Sequence, residues 1–395
     1  MNTKQHTLKP QLRFSEFEGE WRSVKIGDLT TVTAGGTPST LKKEYWNGNI
    51  PWMNSGELNL KRVYDVQNRI TELGLKKSST KIIPINSILI GLAGQGKTRG
   101  TAAINLIELC INQSIAAIYP NTNLFYSEFL YQNIDNRYEE LRNLSTGAGG
   151  RGGLNLSIIK SFQIPIPSLP EQQKIASFFS DVDLVITKLT KKKELLEQYK
   201  KGVMQKIFNQ QLRFKDDEGN AFPIWEEKKL GKVSEINKGE QLNAEFLTKV
   251  GSYPCISGGI NPSGYTEDFN RNENTITISE GGNSCGYVNL FKTKFWCGGH
   301  CYAIENLKNN VVNDFLFQIL KQSEIKIMRL RVGSGLPNIQ KKDINNFKFK
   351  LPVSIVEQTK IANFLSDIDI KIEALNAKIE NSKSFKKGLL QQMFV

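Results

Sequence analysis

Apolar side chains recur every seven positions between Glu171 and Phe208: Ile175, Val182, Leu189, Leu196 and Val203, with a second row four residues on at Phe179, Ile186 and Ile207. The pattern returns from Glu357 to Phe394, with Ile361, Ile368, Leu375 and Leu389 in one row and Leu365, Ile372, Ile379 and Met393 in the other. Two interleaved rows at this spacing predict two long helices that share a coiled-coil seam. Neither stretch contains proline, and at 1.5 Å per residue each helix reaches roughly 57 Å. Lys193, Lys200, Ser382 and Lys386 interrupt the seam, which favours a specific pairing over a maximally stable one. Any intramolecular helical hairpin would show the same rows; the case for more is that the similarity runs beyond them.

The two stretches differ by a constant 186 positions, Glu171 matching Glu357 and Phe208 matching Phe394 without a gap. Walking backwards at that offset, EFLYQ from Glu128 meets DFLFQ from Asp314, and Gly96 and Gly100 meet Gly282 and Gly286. Further back the offset becomes 204, where QLRF at Gln11 recurs at Gln211 and Trp21 meets Trp225, so the first globular part carries about 18 more residues. The chain therefore reads as a first head over residues 1–166, a helix over 167–208, a second head over 209–352 and a helix over 353–395. The heads have diverged far more than the helices, as befits a scaffold that holds two different readers.

Within the heads the expected class is mixed α/β (α+β), with short strands and polar loops. Residues 1–20 form a polar arm that ends by packing Leu12 and Phe14, and strands begin near Trp21. KIIPINSILIGL, residues 81–92, predicts two strands split at Pro84-Ile85-Asn86, and Asn112 to Tyr119 a further one. Phe125 to Leu144 and Val312 to Arg329 have helical spacing. A glycine-rich stretch follows each, Ser145 to Gly153 and Arg331 to Asn338. Pro170 stands just before Glu171, where its fixed φ suits a helix start.

The formal charge of +13 points to a polyanionic partner, either nucleic acid or an anionic membrane surface. No apolar run reaches 18 residues and the N-terminus lacks an apolar signal core, so a soluble, cytoplasmic protein is expected. Five cysteines without an export signal argue against a disulfide framework.

Three motifs invite chemistry. Gly91 to Thr98, GLAGQGKT, matches the phosphate-binding pattern and follows an apolar strand. Gly100 falls where the required helix would propagate, and the second head has SEGGNSCG there without Lys-Thr. A loop between strands is the better reading, with Lys97 and Arg99 offering phosphate or guanine contacts and Gln95 an adenine contact. Cys297-Gly-Gly-His300-Cys301, with Cys255 and Cys285 upstream, lacks the spacing of paired zinc knuckles, and a strand from Trp296 to Ile304 would turn neighbours to opposite faces. Asn261-Pro-Ser-Gly-Tyr only partly matches the Asn-Pro-Pro-aromatic motif of adenine methyltransferases, and just two histidines, His6 and His300, are present. No catalytic constellation and no metal site is expected.

The chain resembles the specificity subunit of type I restriction–modification systems. The resemblance rests on the helix entries PSLPEQQKIA from Pro167 and VEQTKIA from Val356, the paired EFLYQ and DFLFQ segments, and the glycine stretches after them, and it covers essentially all 395 residues. Ser354-Ile-Val stands where the first copy has Ser168-Leu-Pro, so the second helix start is less defined. The resemblance implies that each head is a target recognition domain for one half of a split, asymmetric site in double-stranded DNA, and that the helices pair antiparallel as a ruler. It implies two methyltransferase and two restriction subunits as partners; these carry S-adenosylmethionine, ATP and magnesium, and this chain carries no cofactor. Candidate base or phosphate readers, all polar and in or beside turns, are Thr37, Ser39, Gln95, Lys97, Arg99, Gln113 and Arg151 in the first head. In the second they are Asn261, Arg271, Asn283, Ser284, His300 and Asn338. Lys174 and Lys360, flanking the seam, are candidates for holding the methyltransferase subunits. Competing readings are an NTPase dependent on Lys97 and a coiled-coil adaptor without DNA binding.

Overall fold

The computed structural model describes residues 8–94, 96–145, 153–333, 335 and 337–395; Gln95, Arg151, His6 and most of the first glycine stretch lie outside them. The chain packs as two compact units, Met1–Lys188 with Ile379–Val395, and Leu189–Lys378.

The first unit is built on strands that are buried at every position. Ile88–Gly91, Ala102–Asn105 and Ile115–Ile118 are wholly buried. They belong to a five-stranded sheet ordered Val32–Ala34, Ile115–Ile118, Ile88–Gly91, Ala102–Asn105, Arg62–Val63, antiparallel except for the last pair. Such strands need two cores, because successive side chains point to opposite faces. Ile88, Ile90, Ile104 and Ala116 join Trp21, Phe129, Phe179 and Phe394 on one face. Leu89, Ala103, Ile115 and Ala117 join Met53, Leu58 and Ile111 on the other, toward a second sheet of four strands. Ile82–Ile83 belongs to that second sheet, so the two expected strands of residues 81–92 serve different sheets, with Asn86 turning at φ 64 between them. The expected strand Asn112 to Tyr119 keeps only Ile115–Ile118, and Leu109–Ile111 precedes it as a separate strand. The expected helix Phe125 to Leu144 breaks at Arg137 into Ser127–Asn136 and Tyr138–Asn143. Arg137 leaves helical geometry there, donating to the Gln163 carbonyl at 2.6 Å and lying over the Phe162 ring.

The second unit repeats the plan. Its main sheet is ordered Glu235–Lys238, Cys301–Glu305, Thr275–Ser279, Val288–Phe291, all antiparallel. The expected strand through Trp296 to Ile304 is instead two, Trp296–Cys297 and Cys301–Glu305, with a turn at Gly298 to His300; the first pairs in parallel with Tyr253–Ile256. The helix expected over Val312 to Arg329 divides into Asn313–Gln322 and Glu324–Met328. All five cysteines are free and buried.

The long helices span Leu169–Phe208 and Ile355–Met393. The first starts two residues ahead of Glu171 and takes Pro170 into its opening turn, where a missing N–H costs nothing. The three lysines that interrupt the seam are its polar locks. In the first unit Lys386 bonds Asp183 at 2.6 Å. In the second, Lys200 bonds both carboxylate oxygens of Asp369 at 2.6 Å, and Lys193 reaches Asn376 at 2.9 Å. Within each unit the two residue numbers of such a pair add to 569, the mark of antiparallel helices. Each unit thus contains the start of one long helix and the end of the other.

Both helix starts are anchored alike. Glu171, 1% exposed, accepts from the Arg13 guanidinium at 2.7 and 2.8 Å, and Glu357, 0% exposed, accepts from Arg213. Gln172 accepts from the Tyr126 N–H and donates to the Pro167 carbonyl; Gln358 does the same with Val312 and Pro352. The N-terminal arm meets the second helix end through the Leu12 N–H, which donates to the Gln392 carbonyl at 2.9 Å. Phe14 packs on the core beside Phe178, whereas Leu12 is 40% exposed.

Lys200→Ala is expected to cost about 1–2 kcal/mol, the scale of a charged hydrogen bond at a half-buried site. Adding Asp369→Ala should then cost much less than it does alone, and the coupling is read from a double-mutant cycle in urea.

Candidate nucleic-acid interface

In the first head, three loops gather at one end of the five-stranded sheet: the one leaving Val32–Ala34, the one joining Ile88–Gly91 to Ala102–Asn105, and the one entering Ile115–Ile118. Backbone bonds tie them together, with the Gly36 N–H on the Ile111 carbonyl and the Leu92 N–H on the Ser114 carbonyl. This brings Thr37 to Gln113, their side chains hydrogen-bonded and both exposed, with Ser39 nearby in sequence and its carbonyl accepting from the Trp46 indole. Lys97 is exposed in the middle loop, and its carbonyl accepts from the Thr101 and Tyr138 hydroxyls. The Arg99 carbonyl accepts from Arg142. The phosphate-loop pattern therefore builds a hairpin: the chain turns back as an antiparallel strand, with Gly100 at φ 83, and no helix opens at Lys97.

In the second head the corresponding loops enclose a cleft lined by Ser257 to Gly259, Glu280 to Gly282, Ser284, His300, Pro337 and Asn338. Three of the sequence-derived candidates, Ser284, His300 and Asn338, meet here. The Ser284 hydroxyl donates to the Gly258 carbonyl, and Asn338 pairs by its backbone with Val332. Asn283 is exposed beside them, and Asn261 is exposed in the turn between Tyr253–Ile256 and Gly264–Thr266. Arg271 is set differently: its side chain is 12% exposed, with the guanidinium 3.4 Å from Glu305 and donating to the Lys238 carbonyl. It braces the head.

Sequence reasoning passed over Glu280, whose side chain is 8% exposed on the cleft floor. Lys238 and the Tyr302 hydroxyl donate to it at 2.7 and 3.0 Å. Burial, with Glu280 beside it, pushes the Tyr302 hydroxyl well above its ordinary range. Burial likewise raises the Cys285 thiol behind the cleft. Among the described residues no group of three or more His, Cys, Asp or Glu could hold a metal ion.

On the long helices, Lys174 pairs with Glu16 at 3.1 Å and lies over Phe14, and Lys360 pairs with Asp217 at 2.6 Å. Both are engaged inside their own unit. A different surface stands free: Leu184 and Phe385 in the first unit, 50% and 59% exposed, and Tyr199 and Ile370 in the second, 53% and 61% exposed. Each couple flanks a seam ion pair. Leu184 matches Ile370, and Tyr199 matches Phe385, at the offset of 186, a signal already present in the sequence. Among the described residues no helix is long and apolar enough to cross a membrane.

A family model described as the type I restriction modification DNA specificity domain matches residues 18–198 and 224–382. A putative type I specificity subunit from Mycoplasma pneumoniae is 37% identical over 44% of this chain, and the match spans 47%, about half, of that relative. The type I restriction enzyme MjaIX specificity subunit of Methanocaldococcus jannaschii is 28% identical over 95% of this chain and 92% of its own length. The crystal structure of a type I restriction-modification S subunit from M. genitalium shares the fold, with a TM-score of 0.70 at 19% identity over 98% of this chain and 99% of that one. A chain from a structure of type I R-M complex assembly gives a TM-score of 0.54 at 16% identity, over 95% of this chain and 97% of its own.

Proposed function

Since this chain belongs to the type I restriction modification DNA specificity family, we propose that the loops gathered at the sheet end of each head read one half of a split, asymmetric DNA site. The observation that carries this reading is one scaffold bearing two different loop chemistries. The first head offers Thr37, Gln113 and Lys97, and the second offers Ser284, His300 and Asn338. Polar tips on turns suit base edges in the major groove, while the +13 charge supplies salt-dependent affinity for phosphates irrespective of sequence. Lys97 acts in this reading as a contact to DNA rather than to a nucleotide.

The chemistry belongs to partners: methyltransferase subunits that take S-adenosylmethionine, and restriction subunits that take ATP and magnesium. Two like apolar patches on the helices, one in each unit, suit two copies of a single partner, and the methyltransferase is the partner required for methylation. The restriction subunits, two per complex, complete the assembly.

Genome-wide adenine methylation is compared in cells that express the methyltransferase with and without this chain. A two-part motif with a fixed spacer is expected only when the chain is present, and exchange of one head should change one half of the motif alone. Unchanged methylation in the presence of correctly assembled partners would refute the reading.

A further inference from the structure

We infer that Glu280 is a positioning residue that turns His300 toward a base edge in the half-site of the second head; the inference rests on the reading of the heads given above. The two heads share a backbone at this point. In the first, the Leu92 N–H donates to the Ser114 carbonyl at 2.8 Å and the Leu92 carbonyl accepts from Leu154 at 2.8 Å. In the second, the Glu280 N–H donates to the His300 carbonyl at 2.9 Å and the Glu280 carbonyl accepts from Ile339 at 2.8 Å. Glu280 therefore occupies the place of Leu92, and His300 that of Ser114. Strand register extends the match, because Ala34 opposite Ala116 becomes Lys238 opposite Tyr302. An apolar trio, Ala34, Leu92 and Ala116, is replaced as a set by Lys238, Glu280 and Tyr302.

The replacement brings little stability. A buried ion pair seldom improves on well-packed apolar groups, because desolvation consumes its Coulombic gain. An acid on the floor of a cleft that faces DNA would also repel phosphate unless it had another task. Its geometry supplies one. Oε1 of Glu280 is held by Lys238 and Tyr302, while Oε2 stands 3.6 Å from Nδ1 of His300. An imidazole whose Nδ1 faces a carboxylate offers Nε2 outward. The His300 side chain is 66% exposed at the cleft wall, beside Ser284 and Asn338. A carboxylate fixed from below and an imidazole free above form a recognition unit for the edge of a nucleobase, present in one head and absent from the other.

The test uses the full chain co-expressed with its methyltransferase and reads the methylated motif by sequencing. His300→Ala should relax a single position in one half of the motif, lowering the preference for the correct base by about tenfold, the scale of one base contact. Glu280→Gln should relax that same position, and the double variant should be no worse than His300→Ala. The other half of the motif stays unchanged throughout. An unaltered motif in His300→Ala overturns the inference, as does a Glu280→Gln effect at another position or in both halves. Should Glu280→Gln lower the melting temperature and lose activity, His300→Ala decides alone, because its side chain is exposed and removing it leaves the fold contacts intact. Absence of any two-part motif with the wild-type chain would instead count against the reading of the heads.

Discussion

Glu171→Ala is expected to destabilise the first unit by about 3–5 kcal/mol, the cost of removing one partner from a buried charge pair. The carboxylate is 1% exposed and accepts from Arg13 through two nitrogens and from the Trp21 indole at 3.3 Å. Without it, the Arg13 guanidinium keeps only the Glu18 and Gly19 carbonyls, and the buried indole N–H of Trp21 loses its acceptor. Trp21 stands edge-on to Phe129 and Phe394, so the loosening reaches the aromatic centre of the core. Glu357→Ala should cost less, because the equivalent indole of Trp225 makes no hydrogen bond that could be lost. Urea unfolding of the two variants gives the order. Equal costs would mean that the indole bond contributes nothing.

Leu184→Asp combined with Phe385→Asp is expected to weaken capture of the methyltransferase subunit by about a hundredfold, the loss typical of a central apolar contact. The fold should tolerate both changes, since exposed positions outside special features shift stability by about 0.5 kcal/mol. The informative result is stoichiometric. One couple lies in each unit, so under the proposed assembly with two methyltransferases the double variant should hold one of them, and Tyr199→Asp with Ile370→Asp should remove the other. Sedimentation of the purified complex measures the mass. Two methyltransferases retained at parental affinity would place the docking surface elsewhere.

The helices were legible because a seven-residue rhythm is local and survives any packing. Their register was not, since it depends on which residue of one helix faces which of the other. Lys200 and Lys386 look like defects in a single row, and only Asp369 and Asp183 opposite them reveal locks. Within the heads, the strands of residues 81–92 could be found from composition, but not their separation into two sheets, which long-range pairing decides. GLAGQGKT is a stricter case: glycines that open a helix around phosphate in one context close a hairpin here, because Ala102–Asn105 returns to pair with Ile88–Gly91. Among the candidate readers, Thr37 stands in a loop and Gln113 just ahead of the strand that was expected to include it, and their adjacency comes from strand order. Arg271 had the right chemistry in the wrong depth, since Glu305 draws it inward. Glu280 already stands opposite Leu92 when SEGGNSCG is set against GLAGQGKT, at an offset of 188, but only the fold gathers Lys238, Tyr302 and His300 around it.

The bond between the N-terminal arm and the end of the second helix has a counterpart. The Leu212 N–H donates to the Lys206 carbonyl at 3.1 Å, as Leu12 does to Gln392 at 2.9 Å; both donors stand in a QLRF segment and the acceptors are 186 apart. Phe394 meets Trp21 and Phe129, as Phe208 meets Trp225 and Phe315. One junction is made through the backbone and the other through a hydrogen bond and a ring cluster. In each unit, therefore, the same contacts close a head onto the end of a long helix, whether or not the chain is continuous there.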